Sequence, residues 1–328
     1  MAHAVTLICP SMASGESQSP VASGVTRAIA ATGVEIEWQR VGWQPNDIGA
    51  VVARIRETGH ALLPYLAFDR SRGEAAPIVS LRRALSVWGN IRPVECVPGL
   101  KTRHPAVDIL VVRETTEDIY ASLEHESIEG VYESLKVTTK AACERIARHA
   151  FELARARGRE KVTIVHKANI MKKSDGLFLS TGRRVAEEFP DIEVEDMIVD
   201  ALCMKLVLSP QRFDVLVCAN LFGDIVADLC AGLVGGSHNS PSINIADGAR
   251  VYTVGHGDPA DVALTERASP TSLFFAAVLM LRDLGENGAA DRLMKATSDA
   301  LEQGHVPLAL GGSATTTAFA DAVVGLLA

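Results

Sequence analysis

The sequence predicts an α/β fold with at least one mainly parallel sheet. Short apolar runs alternate with segments of helical periodicity along the 328 residues, and such alternation is typical of α/β architectures. Hydrophobic residues make up 48% of the chain, which is enough to form the core of one large or two modest domains.

Six apolar runs predict strands, because they are short and rich in aliphatic and β-branched residues. They are AVTLIC (4–9), HALLPYLAF (60–68), VDILVVRE (107–114), KVTIVHK (161–167), IEVEDMIVD (192–200) and FDVLVCAN (213–220). The segments between them predict helices over 139–157, 176–188 and 270–284. The first run predicts a buried strand and not a signal peptide, since a basic start is lacking.

Polar residues stand at the ends of several predicted strands. They are Arg113 and Glu114, His166 and Lys167, Asp200, and Asn220. Ligands bind at the carboxyl ends of strands in α/β sheets, so this pattern indicates a site. Strands also end in polar residues because loops are solvated, and the pattern alone leaves both explanations open.

The largely apolar segment 218–236 carries a polar stripe. A helix is predicted to begin at Gly223 and Asp224, and at helical spacing Asn220, Asp224 and Asp228 are neighbours. In one interpretation Asp224 is a cap or first-turn acid and Asp228 faces water. In the other, both carboxylates bind Mg²⁺ or Mn²⁺, together with Asp200 from the end of the preceding strand, because acids one turn apart repel without a cation.

The totals exclude several classes of protein. A formal net charge of −8 disfavours a nucleic-acid partner. No apolar stretch approaches the roughly 20 residues of a membrane span. The six cysteines form no C-x-x-C pair and predict free thiols in a reducing compartment, which we expect to be the cytoplasm.

Three segments together resemble the β-decarboxylating dehydrogenases, that is, the isocitrate/isopropylmalate dehydrogenase family. They are RETTEDIYASLEHESIEGVYESLKVTT (113–139), VHKANIMKKSDGLF (165–178) and NLFGDIVADLCAGLVGG (220–236). They stand in the family's order and at its spacing, and the first is most similar to NAD-dependent isocitrate dehydrogenases. The resemblance implies two α/β domains with the active site in a cleft between them: 1–88 with 235–328, and 89–234.

The resemblance also implies which residues bind the substrate. Arg82, Arg92 and Arg113 match arginines that hold its carboxylates, for which guanidinium forks are suited. Taken singly, each arginine is more simply explained as part of a surface ion pair. We predict Arg82 and Arg92 on different helical faces, with the helix ending near Pro93. Asn169 and Asn220 are expected to orient substrate or nicotinamide, or to be local turn residues.

Catalytic and metal roles follow from the same resemblance. Lys167 matches the general base, and nearby positive charges favour the neutral amine that a base requires. Tyr120 matches the acid that protonates the enol after CO₂ has left. Asp200, Asp224 and Asp228 match the ligands of Mg²⁺ or Mn²⁺. Because the family's counterparts of Lys167 and Asp200 come from the neighbouring subunit, we expect a homodimer.

The cofactor side is predicted from HGDPADVALTERASPT (256–271), which is similar to the family's adenine loop. His256, Gly257 and Asp261 match cofactor-binding positions, and Ser269 stands where the family has an asparagine. A carboxylate at Asp261 accepts hydrogen bonds from ribose hydroxyls and repels a 2′-phosphate, which favours NAD.

The predicted reaction is NAD- and metal-dependent oxidative decarboxylation of a hydroxy di- or tricarboxylate, with isocitrate as the first candidate. Two alternatives remain. Ala76 and Ile78 replace the polar residues with which isocitrate enzymes bind a third carboxylate, so the first alternative is that another 3-substituted malate is the substrate. The second is a non-catalytic regulatory subunit, although such subunits usually lose one of the residues retained here at 120, 167, 200, 224 and 228.

Overall fold

The computed structural model describes residues 2–10, 19–44, 47–66, 75–255, 262 and 264–328. Its strands are β1 (His3–Cys9), β2 (Ile36–Gly42), β3 (His60–Leu63), β4 (Gly89–Glu95), β5 (Asp108–Glu114), β6 (Glu124–Ile128), β7 (Val131–Ser134), β8 (Lys161–His166), β9 (Glu193–Ile198), β10 (Val215–Cys218), β11 (Pro241–Ala246) and β12 (Ala249–Val254). Its helices are α1 (Pro20–Ala31), α2 (Ile48–Thr58), α3 (Pro77–Leu85), α4 (Lys140–Ala156), α5 (Ser174–Ala186), α6 (Val199–Leu208), α7 (Asn220–Leu233), α8 (Thr271–Asp283), α9 (Asn287–Glu302) and α10 (Thr316–Leu327).

The chain separates into two compact units. The first unit comprises Met1–Ser86, Cys96–Thr102 and Val234–Ala328, and the second comprises Val87–Glu95 and Arg103–Leu233. In both, most neighbouring strands run parallel, as the alternation of strands and helices predicts.

The first unit has the strand order β2-β1-β3-β12-β11, antiparallel only between β11 and β12. Helix α8 is buried from Thr271 to Leu281, which explains why its sequence is apolar on every side. Gly24 lets α1 approach α10, since a Cβ at this position would lie 2.7 Å from the Cβ of Ala320.

The second unit has the order β4-β5-β10-β8-β9, in which only β4 is antiparallel to its neighbour. Its core lies between these strands and the helices α4 and α5, where the rings of Phe151 and Phe189 stack at 5.3 Å. Because β5, β8, β9 and β10 run parallel, the residues that follow them lie along one edge of the sheet.

A separate two-stranded hairpin of β6 and β7 extends from the second unit. Every residue of its two strands is exposed, and Gly130 occupies a left-handed conformation at the turn. Within the part of the chain that the structure describes, no helix is both long and apolar enough to cross a membrane.

Three placements predicted from the sequence are wrong. Arg92 lies in β4 and not on a helix, since the φ angle of Pro93 is also compatible with extended chain. Asp200 does not end a strand, because β9 ends at Ile198 and α6 begins at once with Val199. Asp224 lies in the second turn of α7, which begins at Asn220, so the first-turn interpretation does not apply.

Candidate functional site

Two arginine–aspartate pairs line the edge of the second unit's sheet. Arg113, on β5, donates from Nη1 to Asp224, and Arg92, on β4, donates from Nη1 to Asp228 at 2.5 Å. Both arginine side chains are buried, whereas those of Asp224 and Asp228 are 41% and 45% exposed. The guanidinium charges offset the repulsion between two carboxylates one helical turn apart, and the carboxylates stay accessible.

Asn220 fixes the orientation of Arg113. Its Oδ1 accepts from Nε and Nη2 of Arg113 at 3.1 and 2.8 Å, and its Nδ2 donates to the carbonyl of Glu117 at 2.9 Å. Gly223 permits the close approach, because a Cβ there would lie 2.6 Å from Cγ of Arg113. Asn220 therefore joins the helix, the arginine and the loop after β5, which is more than the turn role that the sequence also allowed.

Tyr120 belongs to the same group of side chains. It lies on a short 3-10 helix, Ile119–Ala121, and its hydroxyl donates to Oδ2 of Asp224. The guanidinium carbon of Arg113 stands 5.2 Å from the centre of its ring. Partial burial, followed by the hydrogen bond to Asp224 and its charge, raises the pKa of Tyr120 above the ordinary value. The phenol is therefore protonated at neutral pH and can donate a proton.

Lys167 and Asp200 form a second group. Lys167 follows β8, and its Nζ donates to Oδ1 of Asp200 at 2.5 Å. This hydrogen bond lowers the pKa of Asp200 below its ordinary value. The Asp200 side chain is 69% exposed and can take a ligand. Asn169, two residues after the lysine, is exposed in a turn.

The three predicted metal ligands do not meet within a single chain. Over the described ranges, no group of three or more His, Cys, Asp and Glu side chains could hold a metal ion. Asp224 and Asp228 share one helix, whereas Asp200 is bonded to Lys167.

The remaining predicted residues lie in the first unit. Arg82, on α3, donates from Nε to Oδ1 of Asn244 at 2.7 Å. Ser269 is buried, and its hydroxyl lies 3.2 Å from that of Thr271 at the start of α8. The other three cofactor positions fall outside the described residues; they are His256, Gly257 and Asp261.

Sequence reasoning missed four residues that shape this edge. Asp118 and Asp175 are buried carboxylates, Lys136 pairs with both, and Gly223 makes room for Arg113. The sequence holds one signal for the acids, since Asp118 lies two residues before Tyr120 and Asp175 lies in the segment of Lys167.

Comparisons with known proteins match this chain over most of its length. A family model described as isocitrate/isopropylmalate dehydrogenase matches residues 59–323. The NAD-dependent isocitrate dehydrogenase catalytic subunit 5 of Arabidopsis thaliana is 41% identical, covering 92% of this chain and 84% of the relative. The chloroplastic 3-isopropylmalate dehydrogenase of Solanum tuberosum is 40% identical over 88% of this chain and 83% of its own.

Solved structures agree with these matches. The isocitrate dehydrogenase of Methylococcus capsulatus superposes with a TM-score of 0.89 at 37% identity, covering 99% of both chains. The TT0538 protein of Thermus thermophilus gives a TM-score of 0.87 at 32% identity, covering 99% of this chain and 68% of that one. The fold class and the resemblance predicted from the sequence are confirmed.

Proposed function

Since the chain belongs to the isocitrate/isopropylmalate dehydrogenase family, we propose that it is an NAD- and metal-dependent enzyme which oxidatively decarboxylates a 2-hydroxy acid bearing a 3-carboxylate. The observation that carries this proposal is the cluster of Arg92, Arg113, Tyr120, Asp224 and Asp228 at one sheet edge. It combines carboxylate-binding cations, a protonated phenol and accessible oxygen ligands. Isocitrate is the first candidate substrate.

Each side chain has a defined task in this reaction. Arg92 and Arg113 bind substrate carboxylates through their guanidinium forks, and Lys167 accepts the proton of the 2-hydroxyl as the alcohol is oxidised. Tyr120 then donates a proton to the carbon that loses CO₂. When bound, NAD supplies the hydride acceptor, and a divalent cation supplies positive charge where negative charge develops.

The carboxylates of α7 fit a hard divalent cation. Asp224 and Asp228 present oxygen atoms one turn apart and are nearly half exposed, and Mg²⁺ and Mn²⁺ prefer such ligands. A third ligand, Asp200, lies on α6 beside Lys167. We propose that Asp200 and Lys167 of a second copy complete the site.

Exposed apolar side chains support a homodimer. Ile128 and Tyr132 on the hairpin are 69% and 68% exposed, and Met204, Leu208 and Ile225 on α6 and α7 are more than half exposed. Apolar surface of this kind is usually covered by a partner. Several relatives are named as catalytic or regulatory subunits, so a mixed oligomer is the alternative. The cytoplasmic location stays a prediction, since those relatives are mitochondrial.

The substrate alternative is another 3-substituted malate. Ile78 and Val79 present apolar side chains on α3, beside Ser80 and the exposed Arg83. Identity does not choose between substrates, because the isocitrate and isopropylmalate relatives are 41% and 40% identical. A regulatory role is also represented, since an isocitrate dehydrogenase regulatory subunit of Dictyostelium discoideum is 39% identical.

A panel of 3-substituted malates, including isocitrate and 3-isopropylmalate, tests the proposal through NADH formation with Mn²⁺. We expect turnover of at least one acid, and its loss in Lys167→Ala with Mn²⁺ binding retained. Turnover of isocitrate alone would remove the argument from the apolar side chains of α3. If no acid is oxidised although the protein binds one of them, the regulatory interpretation gains and the proposed activity is wrong.

A further inference from the structure

Lys136 is a buried cation between two buried carboxylates. Its Nζ lies 2.8 Å from Oδ1 of Asp175 and 3.5 Å from Oδ1 of Asp118. Its side chain is 15% exposed, and each acid is 2% exposed. The ammonium also stands 4.9 Å from the ring centre of Phe222, on α7. Three separate segments of the second unit therefore converge on one charge.

The first segment carries the proposed base. Oδ2 of Asp175 accepts from the backbone N–H of Lys167 at 2.6 Å, while its Oδ1 faces Lys136. Asp175 lies in the first turn of α5, so it ties the start of this helix to the end of β8. The ammonium keeps this buried carboxylate ionised and directed toward Lys167.

The second segment carries the proposed acid. Asp118 has φ 77° and ψ −155°, a conformation found almost only at glycine. It is held by a backbone hydrogen bond to the carbonyl of Val137 at 2.9 Å. Its carboxylate accepts from the N–H groups of Ile119 at 2.8 Å and Leu221 at 3.0 Å. One side chain thus fixes both the 3-10 helix of Tyr120 and the first turn of α7.

We propose that Lys136 is a positioning residue which, through Asp175 and Asp118, holds the segments of Lys167 and Tyr120 and the metal-binding helix in their places. The inference rests on the proposed function, because these segments carry its base, acid and metal ligands. Removing the ammonium leaves two buried carboxylates without their shared counter-charge. They then protonate or turn away, and the backbone groups that they hold are released.

Lys136→Met tests this, since it retains the apolar stem and removes the charge. Lys140→Met is the matched control, because Lys140 is exposed four residues further on. We expect Lys136→Met to lower kcat by about tenfold or more while KM changes by less than about threefold, since Arg92 and Arg113 are untouched. Lys136→Arg should recover part of kcat, and Lys140→Met should match the wild type.

Residue-resolved amide hydrogen exchange supplies a readout independent of activity. In Lys136→Met the amides of Lys167, Ile119 and Leu221 should exchange about tenfold faster or more. Asp175→Asn should release only Lys167, and Asp118→Asn only the other two, so these variants carry the test if Lys136→Met fails to fold. Local loss of this kind is distinct from global unfolding.

The outcomes separate this inference from the proposed function. Unchanged exchange at the three amides in folded Lys136→Met, or kcat equal to that of Lys140→Met, overturns the positioning role alone. If the wild type oxidises none of the acids while the three amides are released as expected, the proposed function fails. The network that Lys136 holds then stands.

Discussion

Tyr120 meets two opposite charges at once, because its hydroxyl donates to Asp224 and its ring lies beside Arg113. We predict that Tyr120→Phe slows release of the decarboxylated product by about 10²–10⁴-fold, the usual contribution of a general acid. The oxidation step should suffer less, since the hydroxyl is assigned to the protonation after CO₂ has left. Comparing single-turnover NADH formation with product formation measures this difference.

The alternative role for Tyr120 is to hold Asp224 in place through its hydroxyl. In that case Tyr120→Phe would weaken Mn²⁺ binding and slow both steps equally. Equal slowing of NADH and product formation would therefore contradict the assignment of Tyr120 as the acid.

Gly223 leaves the space that the Arg113 side chain occupies. We predict that Gly223→Ala displaces Arg113, because the added methyl group would lie 2.6 Å from its Cγ. Overpacking of this kind costs about 1–3 kcal/mol, and loss of one arginine fork should raise KM by about tenfold, equivalent to about 1.4 kcal/mol. Steady-state kinetics and urea unfolding measure the two effects.

Gly232 provides the matched control on the same helix. It is exposed, and a Cβ there meets no atom within 4 Å. Gly232→Ala should leave KM unchanged and stabilise α7 by about 0.5–1 kcal/mol through its better helix propensity. An equal rise of KM in both variants would mean that helix geometry, and not contact with Arg113, sets substrate binding.

Residue types and spacing were enough to predict which side chains matter, but not how they are supported. Asp118 and Asp175 look like ordinary acids in polar segments, and only the fold shows that Lys136 lies between them. The strained backbone of Asp118 is likewise invisible in sequence, because nothing in local propensity predicts a glycine-like conformation at an aspartate.

At the level of elements, the apolar runs predicted the strands but not where they end. The run that holds β9 continues without a turn signal into α6, so Asp200 was placed on the wrong element. Pro93 was taken to end a helix, although a fixed φ also suits a strand such as β4. Boundaries of this kind are decided by tertiary packing, which the sequence pattern does not contain.

A buried polar chain connects β3, β12 and α8 in the first unit. The hydroxyl of Tyr252 donates to Asp283 at 2.8 Å and lies 3.0 Å from Nδ1 of His60. The phenol proton is used by Asp283, so His60 must donate from Nδ1. Burial, partly opposed by the charge of Asp283, lowers the pKa of His60 below its ordinary value.

This depressed pKa makes stability depend on pH. The unfolded chain binds a proton at His60 at higher pH than the folded chain does, so the neutral imidazole favours folding above the ordinary histidine pKa. We predict that this contribution is lost as pH falls below about 6.5 toward the lower folded pKa. His60→Asn keeps an N–H donor but does not titrate, and it should flatten that part of the stability profile.

Urea unfolding of the wild type and His60→Asn at a series of pH values measures this effect. The difference in free energy of unfolding should move in favour of the variant as pH falls. A difference that stays constant with pH would contradict the assignment of the titrating group to His60.

At the level of the whole molecule, the site residues fall into two groups on each chain. Lys167 and Asp200 bond to each other, whereas Asp224 and Asp228 pair with arginines, and no three acids among the described residues form a metal site. A single chain therefore holds two incomplete halves. In a twofold dimer each half can meet its complement from the other copy, since such interfaces are reciprocal.

Complementation tests whether the halves meet. Lys167→Met and Asp224→Asn should each abolish activity as homodimers. In a mixed dimer, one site takes Asp224 from the first variant and Lys167 from the second and is intact, while the other site carries both defects. Random mixing of equal amounts should therefore restore about a quarter of wild-type activity, since half the dimers are mixed and each has one good site.

Lys167→Met mixed with Asp200→Asn is the control, because both residues belong to the same half. Every site in that mixture keeps one defect, so no activity should return although mixed dimers form. Recovery in the first mixture and not in the second would mean that the site is built across two subunits. If neither mixture recovers while tagged mixed dimers are isolated from both, each chain must close its own site, and Asp200 has to move from Lys167 to the acids of α7 within one subunit when metal binds.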